Sequence, residues 1–271
     1  MARIERDGVG LAYDRTGEGT PTLLLIHGAF SNRFAYDRQV EHFAARHDIV
    51  RVDLRGHGES AQPRDGYSVE GFADDVAYLA GELGLRSCVV VGHSLGGLVA
   101  VEMAGRHPDV VGSLVTLDSP SVIPGWSLRY AHPLDREMEG EAFRDVLETF
   151  LRRAVHPADD QERLDRSLAA VRLMPDHVVR ATWKALDWEP SPALRACRVP
   201  CLYLDHGQPG YDLREVRALC PQVVSGQTVG AGHWALQDVP DQVNAMLERF
   251  IAHAGLLATY ERERARKDLS G

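Results

Sequence analysis

The chain has 271 residues, of which 44% are hydrophobic and 25% charged, with a formal net charge of −9. That balance belongs to a folded globular protein and excludes disordered and fibrous classes. The length fits one large domain or a domain carrying an insertion, and the negative charge argues against a general field that would draw nucleic acid or an anionic membrane.

The opening residues, Met1-Ala2-Arg3-Ile4-Glu5-Arg6-Asp7, alternate charge with apolar side chains. They lack the apolar run of about 7–15 residues that marks a secretory signal. No stretch reaches the roughly 18 apolar residues of a membrane-crossing helix, so no membrane partner is expected and the expected location is cytoplasmic. Residues 3–14 alternate about Asp7-Gly8, predicting an antiparallel hairpin that opens the fold.

A different rhythm follows. Apolar runs at 22–26, 49–54, 88–91 and 113–117 recur between amphipathic stretches such as Val69–Leu83 and Leu95–Arg106. Runs that are apolar on both faces and alternate with helices predict an α/β fold, with a mostly parallel sheet covered on both sides. Between 122 and 196 the strand-like runs stop. Only helical periodicity remains there (Arg136–Ala154, Asp159–Leu173, Asp176–Leu186), interrupted by prolines. The sheet pattern resumes at Cys201–Leu204, followed by a short helix over Asp212–Leu219, a strand over Val223–Val229 and a last helix from Pro240 to Ala254. The division is therefore a core of residues 1–121 and 197–271 with a helical insertion over 122–196. The charged run from Glu261 to Lys267 is expected to be a solvated helix end.

Four cysteines, Cys88, Cys197, Cys201 and Cys220, fit neither a disulfide framework nor a CxxC metal site. Cys197 and Cys201 straddle a strand entry that should point them apart, so free thiols and no metal site are expected.

Gly92-His93-Ser94-Leu95-Gly96 reads G-x-S-x-G between a strand and a helix. That context suits a serine held on a strained, tight turn whose flanking glycines make room for the backbone. Serine is a weak nucleophile by itself and needs an adjacent base. Of twelve histidines, His233 lies in a loop after the last strand, late in the chain. Seven others sit inside backbone-shaping motifs (His27, His57, His93) or on or beside helices (His42, His47, His107, His253).

With His27-Gly28-Ala29-Phe30 after one strand, Asp53-Leu54-Arg55-Gly56-His57-Gly58-Glu59-Ser60 after the next and Gly232-His233-Trp234 before the last helix, the chain resembles the α/β-hydrolase family over nearly its whole length. The resemblance implies an eight-stranded sheet with helices on both faces and a lid inserted after the sixth strand. It also implies Ser94 as nucleophile, His233 as base and the backbone N–H groups of Ala29 and Leu95 as an oxyanion hole, with no cofactor. In the glycine-rich loop, Asp53 and Arg55 are expected to pair while the glycines turn the chain.

The third member of the triad departs from the commonest pattern. The usual position after the seventh strand is Pro209, which cannot be an acid. A second family pattern places the acid at the end of the sixth strand, where Asp118 stands. Asp118 is preferred over Asp212, which also reads as a helix cap, and over Asp205 at a strand end. All three keep the order Ser, Asp, His.

Phe30, Phe34 and Trp234, beside the catalytic loops, and Trp126 and Trp183, on the insertion, are the expected walls of an apolar pocket for a small-molecule substrate. The expected reaction is hydrolysis of a small, largely apolar ester or lactone through an acyl-enzyme. Hydrolysis of a thioester or carbon–carbon bond, perhydrolase or haloperoxidase-like chemistry, acyl transfer and non-enzymatic ligand reception are the alternatives. Dehalogenase and epoxide hydrolase readings are disfavoured, because such relatives carry an aspartate where this chain has Ser94.

Overall fold

In the computed structural model, residues 2–120, 132–207 and 211–268 are described. Eight strands form one sheet: β1 (Ala2–Arg6), β2 (Val9–Thr16), β3 (Leu23–Ile26), β4 (Ile49–Val52), β5 (Cys88–His93), β6 (Val111–Leu117), β7 (Cys201–Asp205) and β8 (Val223–Gln227). Their spatial order is β1-β2-β4-β3-β5-β6-β7-β8. The β1–β2 hairpin turns at Asp7-Gly8, and β2 runs antiparallel to β4. Every pairing from β4 to β8 is parallel.

The central strands explain the continuous apolar runs. Leu23, Leu24, Leu25 and Ile26 of β3 and Val89, Val90 and Val91 of β5 are all buried, because helices cover both faces of a parallel sheet. A short 3₁₀ turn (Arg33–Tyr36) and α1 (Asp37–Phe43) follow β3, α2 (Val69–Glu82) follows β4 and α3 (Leu95–Arg106) follows β5. The N-cap of α2 is Ser68, whose hydroxyl accepts from the Gly71 N–H, satisfying one of the unpaired donors of a helix start.

Among the described residues, five helices lie between β6 and β7: α4 (His132–Glu139), α5 (Phe143–Arg153), α6 (Gln161–Leu173), α7 (Asp176–Ala185) and α8 (Ser191–Ala196). The single helix expected over Arg136–Ala154 is divided, because the chain turns at Gly140, whose N–H donates to Glu137 O at 3.0 Å. The last of the five packs on α3 so closely that a Cβ on Gly105 would lie 2.9 Å from Ala193 Cα. After β7 come α9 (Leu213–Leu219), α10 (Ala235–Asp238) and α11 (Pro240–Asp268). No described helix is long and apolar enough to cross a membrane.

Two sequence expectations are corrected. Asp53 does not pair with Arg55. It accepts from the Arg33 guanidinium and from the backbone N–H groups of Arg33 (2.7 Å) and Glu59 (2.8 Å). Arg55 instead makes a two-pronged bond to Asp75 of α2, at 2.6 and 2.7 Å, a geometry that suits the planar guanidinium. The second correction concerns the thiols. Cys197 is the C-cap of α8 and not part of a strand, so the alternation of β7 does not reach it. Its Sγ lies 3.4 Å from that of Cys201.

Candidate active site

Ser94 sits between β5 and α3 with φ 51° and ψ −119°. A residue other than glycine in such a conformation costs on the order of 1–3 kcal/mol and persists only where its surroundings impose it. Here they do. A Cβ on Gly92 would stand 2.0 Å from Gly96 O, one on Gly96 2.1 Å from Ile26 O and one on Gly97 1.7 Å from Ser119 Oγ. Only a chain without side chains at these positions lets α3 start so close to the sheet.

Being first in α3, Leu95 has a backbone N–H with no intrahelical acceptor. The Ala29 N–H donates to no group among the described residues. The loop that carries it is fixed by His27, which donates Nδ1–H to Gly28 O (2.7 Å) and accepts the Leu54 N–H at Nε2 (3.1 Å). Gly28 lies against the elbow, since a Cβ there would be 3.0 Å from Ser94 Cβ.

At the end of β6, Asp118 is a second non-glycine residue with positive φ, 46°. Its carboxylate accepts from His233 Nδ1–H at Oδ2 and from His206 Nδ1–H at Oδ1, the latter at 2.7 Å. Burial would raise this carboxyl, but the charge of His233 and the hydrogen bonds from both imidazoles outweigh it and hold the group well below the usual carboxylate range. An ionised carboxylate can only accept. Both imidazoles therefore present Nδ1–H to it, and Nε2 of a neutral His233 keeps its lone pair.

His93, next to Ser94, donates Nε2–H to the carbonyl of His233 at 2.8 Å, and the two rings lie 4.6 Å apart. Burial first, and the charge of His233 second, push His93 down to about 3, so it stays a neutral spacer. From the inserted region, Ala154 O accepts the His233 N–H at 2.9 Å, and the carboxylate of Asp159 accepts the Gly232 N–H. Arg163 of α6 pairs with Asp238 of α10 at 2.6 Å.

Of the other candidate acids, Asp212 caps α9 by accepting the Arg214 N–H at 2.8 Å. Asp205 accepts the Tyr211 hydroxyl and the Gly207 N–H, each at 2.7 Å. Pro209 lies outside the described residues.

The residues expected to bind substrate are dispersed. Trp234 meets His233 edge-on at 5.1 Å, and Phe30 is buried beside Ala29 with φ 61°. Phe34 is 45% exposed, with the guanidinium groups of Arg33 and Arg51 at 4.3 and 4.9 Å from its ring centre. Trp183 is buried, donating Nε1–H to Asp135 at 3.0 Å. Trp126 lies outside the described residues. A cavity beside the Asp118–His233 pair is lined by Leu117, Leu204, Thr228, Leu236 and Val243, not by these aromatic side chains.

Sequence reasoning missed His206. The signal was present: it follows β7 immediately, and Leu204 pairs with Leu117, which places His206 beside Asp118 at the same sheet edge. Asp159 gave no signal, because its partner is a backbone amide 73 residues away.

An eight-stranded sheet of this order, with a strained serine at the strand–helix turn and a histidine–aspartate pair beside it, defines the alpha/beta hydrolase class. The chain belongs to the alpha/beta hydrolase fold family, which it matches over residues 21–180. It is 32% identical over 139 residues to epoxide hydrolase 4 of Mus musculus, covering 49% of this chain and 39% of that protein. It is 35% identical over 116 residues to 2-(acetamidomethylene)succinate hydrolase of Mesorhizobium japonicum, covering 43% and 41%. The matches thus span about two fifths of the length of these curated relatives. Among solved structures, the N-acyl homoserine lactone degrading enzyme Est816 superposes with a TM-score of 0.79 at 24% identity, covering 92% of this chain and 100% of that one.

Proposed function

We propose that this protein is a serine hydrolase that cleaves a small, largely apolar ester or lactone through an acyl-enzyme. The observation that carries this reading is the hydrogen bond from His233 Nδ1–H to an ionised Asp118, made beside a serine at a strained strand–helix turn. In this reading His233 Nε2 takes the Ser94 proton as Oγ attacks the substrate carbonyl. The N–H groups of Ala29 and Leu95, with the positive end of α3 behind the second, stabilise the oxyanion. The imidazolium then protonates the leaving oxygen. Water, deprotonated by His233, releases the acid and restores Ser94.

Asp118 holds His233 in the tautomer that can accept a proton and stabilises the imidazolium that forms. In this reading the helices inserted between β6 and β7 act as a lid, and Phe30 and Trp234, which flank the Ala29 and His233 loops, form part of the pocket wall. A serine at the elbow favours acyl transfer over epoxide opening, and the fold shared with a lactone-degrading enzyme is compatible with a cyclic ester. A fluorophosphonate should label wild type once per chain and leave Ser94→Ala unlabelled; equal labelling of both would overturn the proposal. Comparing wild type with Ser94→Ala across acyl chain lengths and lactones then ranks the substrates.

A further inference from the structure

At the opposite edge of the sheet from Ser94, three thiols converge. Cys197 ends α8, Cys201 opens β7 and Cys220 ends α9. All three are buried, at 1%, 0% and 0% exposure. The Cys201 Sγ lies 3.4 Å from that of Cys197 and 3.8 Å from that of Cys220, and all three sulfurs lie within 4.8 Å of one another. We propose that Cys197, Cys201 and Cys220 form a three-coordinate site for a soft, thiophilic metal ion, and that copper(I) is the ion it fits.

The geometry supports an ion at the centre of the triangle. With these separations a single point stands within about 2.4 Å of all three sulfurs, close to a metal–thiolate bond of about 2.3 Å. The number of ligands then selects the ion. Structural zinc is almost always held by four ligands, and iron–sulfur clusters by four cysteines or by cysteines with histidines. Among the described residues no fourth cysteine, histidine or carboxylate joins the group. Soft thiolates select copper(I), which three sulfurs can satisfy.

Polar groups flank the cluster at Cys197. Gln222 donates Nε2–H to Cys197 O at 3.0 Å and lies 3.8 Å from its Sγ, and Arg198 donates to the same carbonyl at 2.9 Å. Binding exchanges protons and moves no electrons: each S–H that ligates gives its proton to solvent as an S–Cu bond forms, and copper stays in the +1 state.

The site is tested on the full chain, reduced and without oxygen, titrated with copper(I) against a copper(I)-specific chelator. Wild type should retain a single copper per chain, and so should Ser94→Ala and Cys88→Ala. Cys201→Ala and Cys220→Ser, which remove a ligand outright, should lose affinity by at least about a hundredfold, the upper end of what losing a mere outer-shell partner costs. X-ray absorption at the copper edge of loaded wild type, which needs no variant, should show three sulfur neighbours and no nitrogen. Absence of chelator-resistant copper, a nitrogen neighbour, unchanged binding by folded Cys201→Ala, or loss of copper in Cys88→Ala would each overturn the proposal.

Discussion

Asp159, on the loop between α5 and α6, holds the backbone of Gly232, the residue before His233: both carboxylate oxygens lie 3.2 Å from the Gly232 nitrogen, and one also accepts the His156 N–H at 2.8 Å. A buried carboxylate on the inserted helices thus fixes the loop that carries the proposed base. Hydrogen bonds to a charged group contribute about 1.5–3 kcal/mol. Asp159→Ala should lower Tm by several degrees and kcat by about tenfold or more, since displacement by about 1 Å can cost a hundredfold. Unchanged kcat in a folded Asp159→Ala protein would show that His233 needs no support from the insertion.

Asp118→Asn should lower kcat by about 10⁴, because an amide can turn an N–H toward the ring and hold His233 in the wrong tautomer. Asp212→Asn should stay near wild type, since asparagine caps a helix about as well as aspartate. The assay is kcat on an activated ester, with folding checked by circular dichroism. An inactive Asp212→Asn beside an active Asp118→Asn would place the acid behind β7.

Legibility in the sequence followed the range of the interactions. α3 begins and ends at Leu95 and Arg106 as its periodicity and the glycine-flanked serine predict, because local sterics decide it. α1 escaped notice: Asp37–Phe43 buries Gln39 and Phe43 and exposes most of its other residues, leaving too few apolar positions to set a period. At the site, Ser94, His233 and Asp118 stood out through motifs at strand ends. His206, Asp159 and the three thiols did not, since each acquires its role from a partner brought close by the sheet or by a returning loop. Arg33 is the same case, reaching Asp53 across 20 residues where a local partner, Arg55, was expected.

His206 shares the Asp118 carboxylate with His233, and that hydrogen bond raises its pKa against the opposing effect of burial. A positive charge there opposes a second positive charge on His233. His206→Gln keeps an N–H donor and removes the charge, so the acid limb of kcat/KM should move to higher pH while the alkaline plateau stays within about twofold. His206→Phe removes the donor as well and should also lower the unfolding free energy, by the net worth of about 1.5–3 kcal/mol for a hydrogen bond to a charged group. Superimposable pH profiles for wild type and His206→Gln would show that His206 only fills space.

Acid should destabilise the protein through three buried histidines, His27, His57 and His93. Burial is the main cause that pushes His27 down to about 4 and His57 and His93 each to about 3, with neighbouring positive charge contributing in each. All three lie below the ordinary imidazole value of about 6.5. As pH falls through that value the unfolded chain binds three protons that the native protein refuses, so stability declines by up to about 4 kcal/mol per pH unit until the native values are reached. His206, raised in the native state, works the other way: its contribution is complete below about 6.5 and fades as pH rises through its own value. It offsets the loss of stability only above that point. Against a total of about 5–15 kcal/mol, the loss of about 10 kcal/mol accumulated by pH 4 is comparable to the whole stability. The urea midpoint should therefore fall steeply between pH 6 and 5, and His57→Gln, which can still donate to Arg55 O, should reduce the slope by about one proton. A urea midpoint at pH 5 equal to that at pH 7 would show that these imidazoles take up protons in the folded protein.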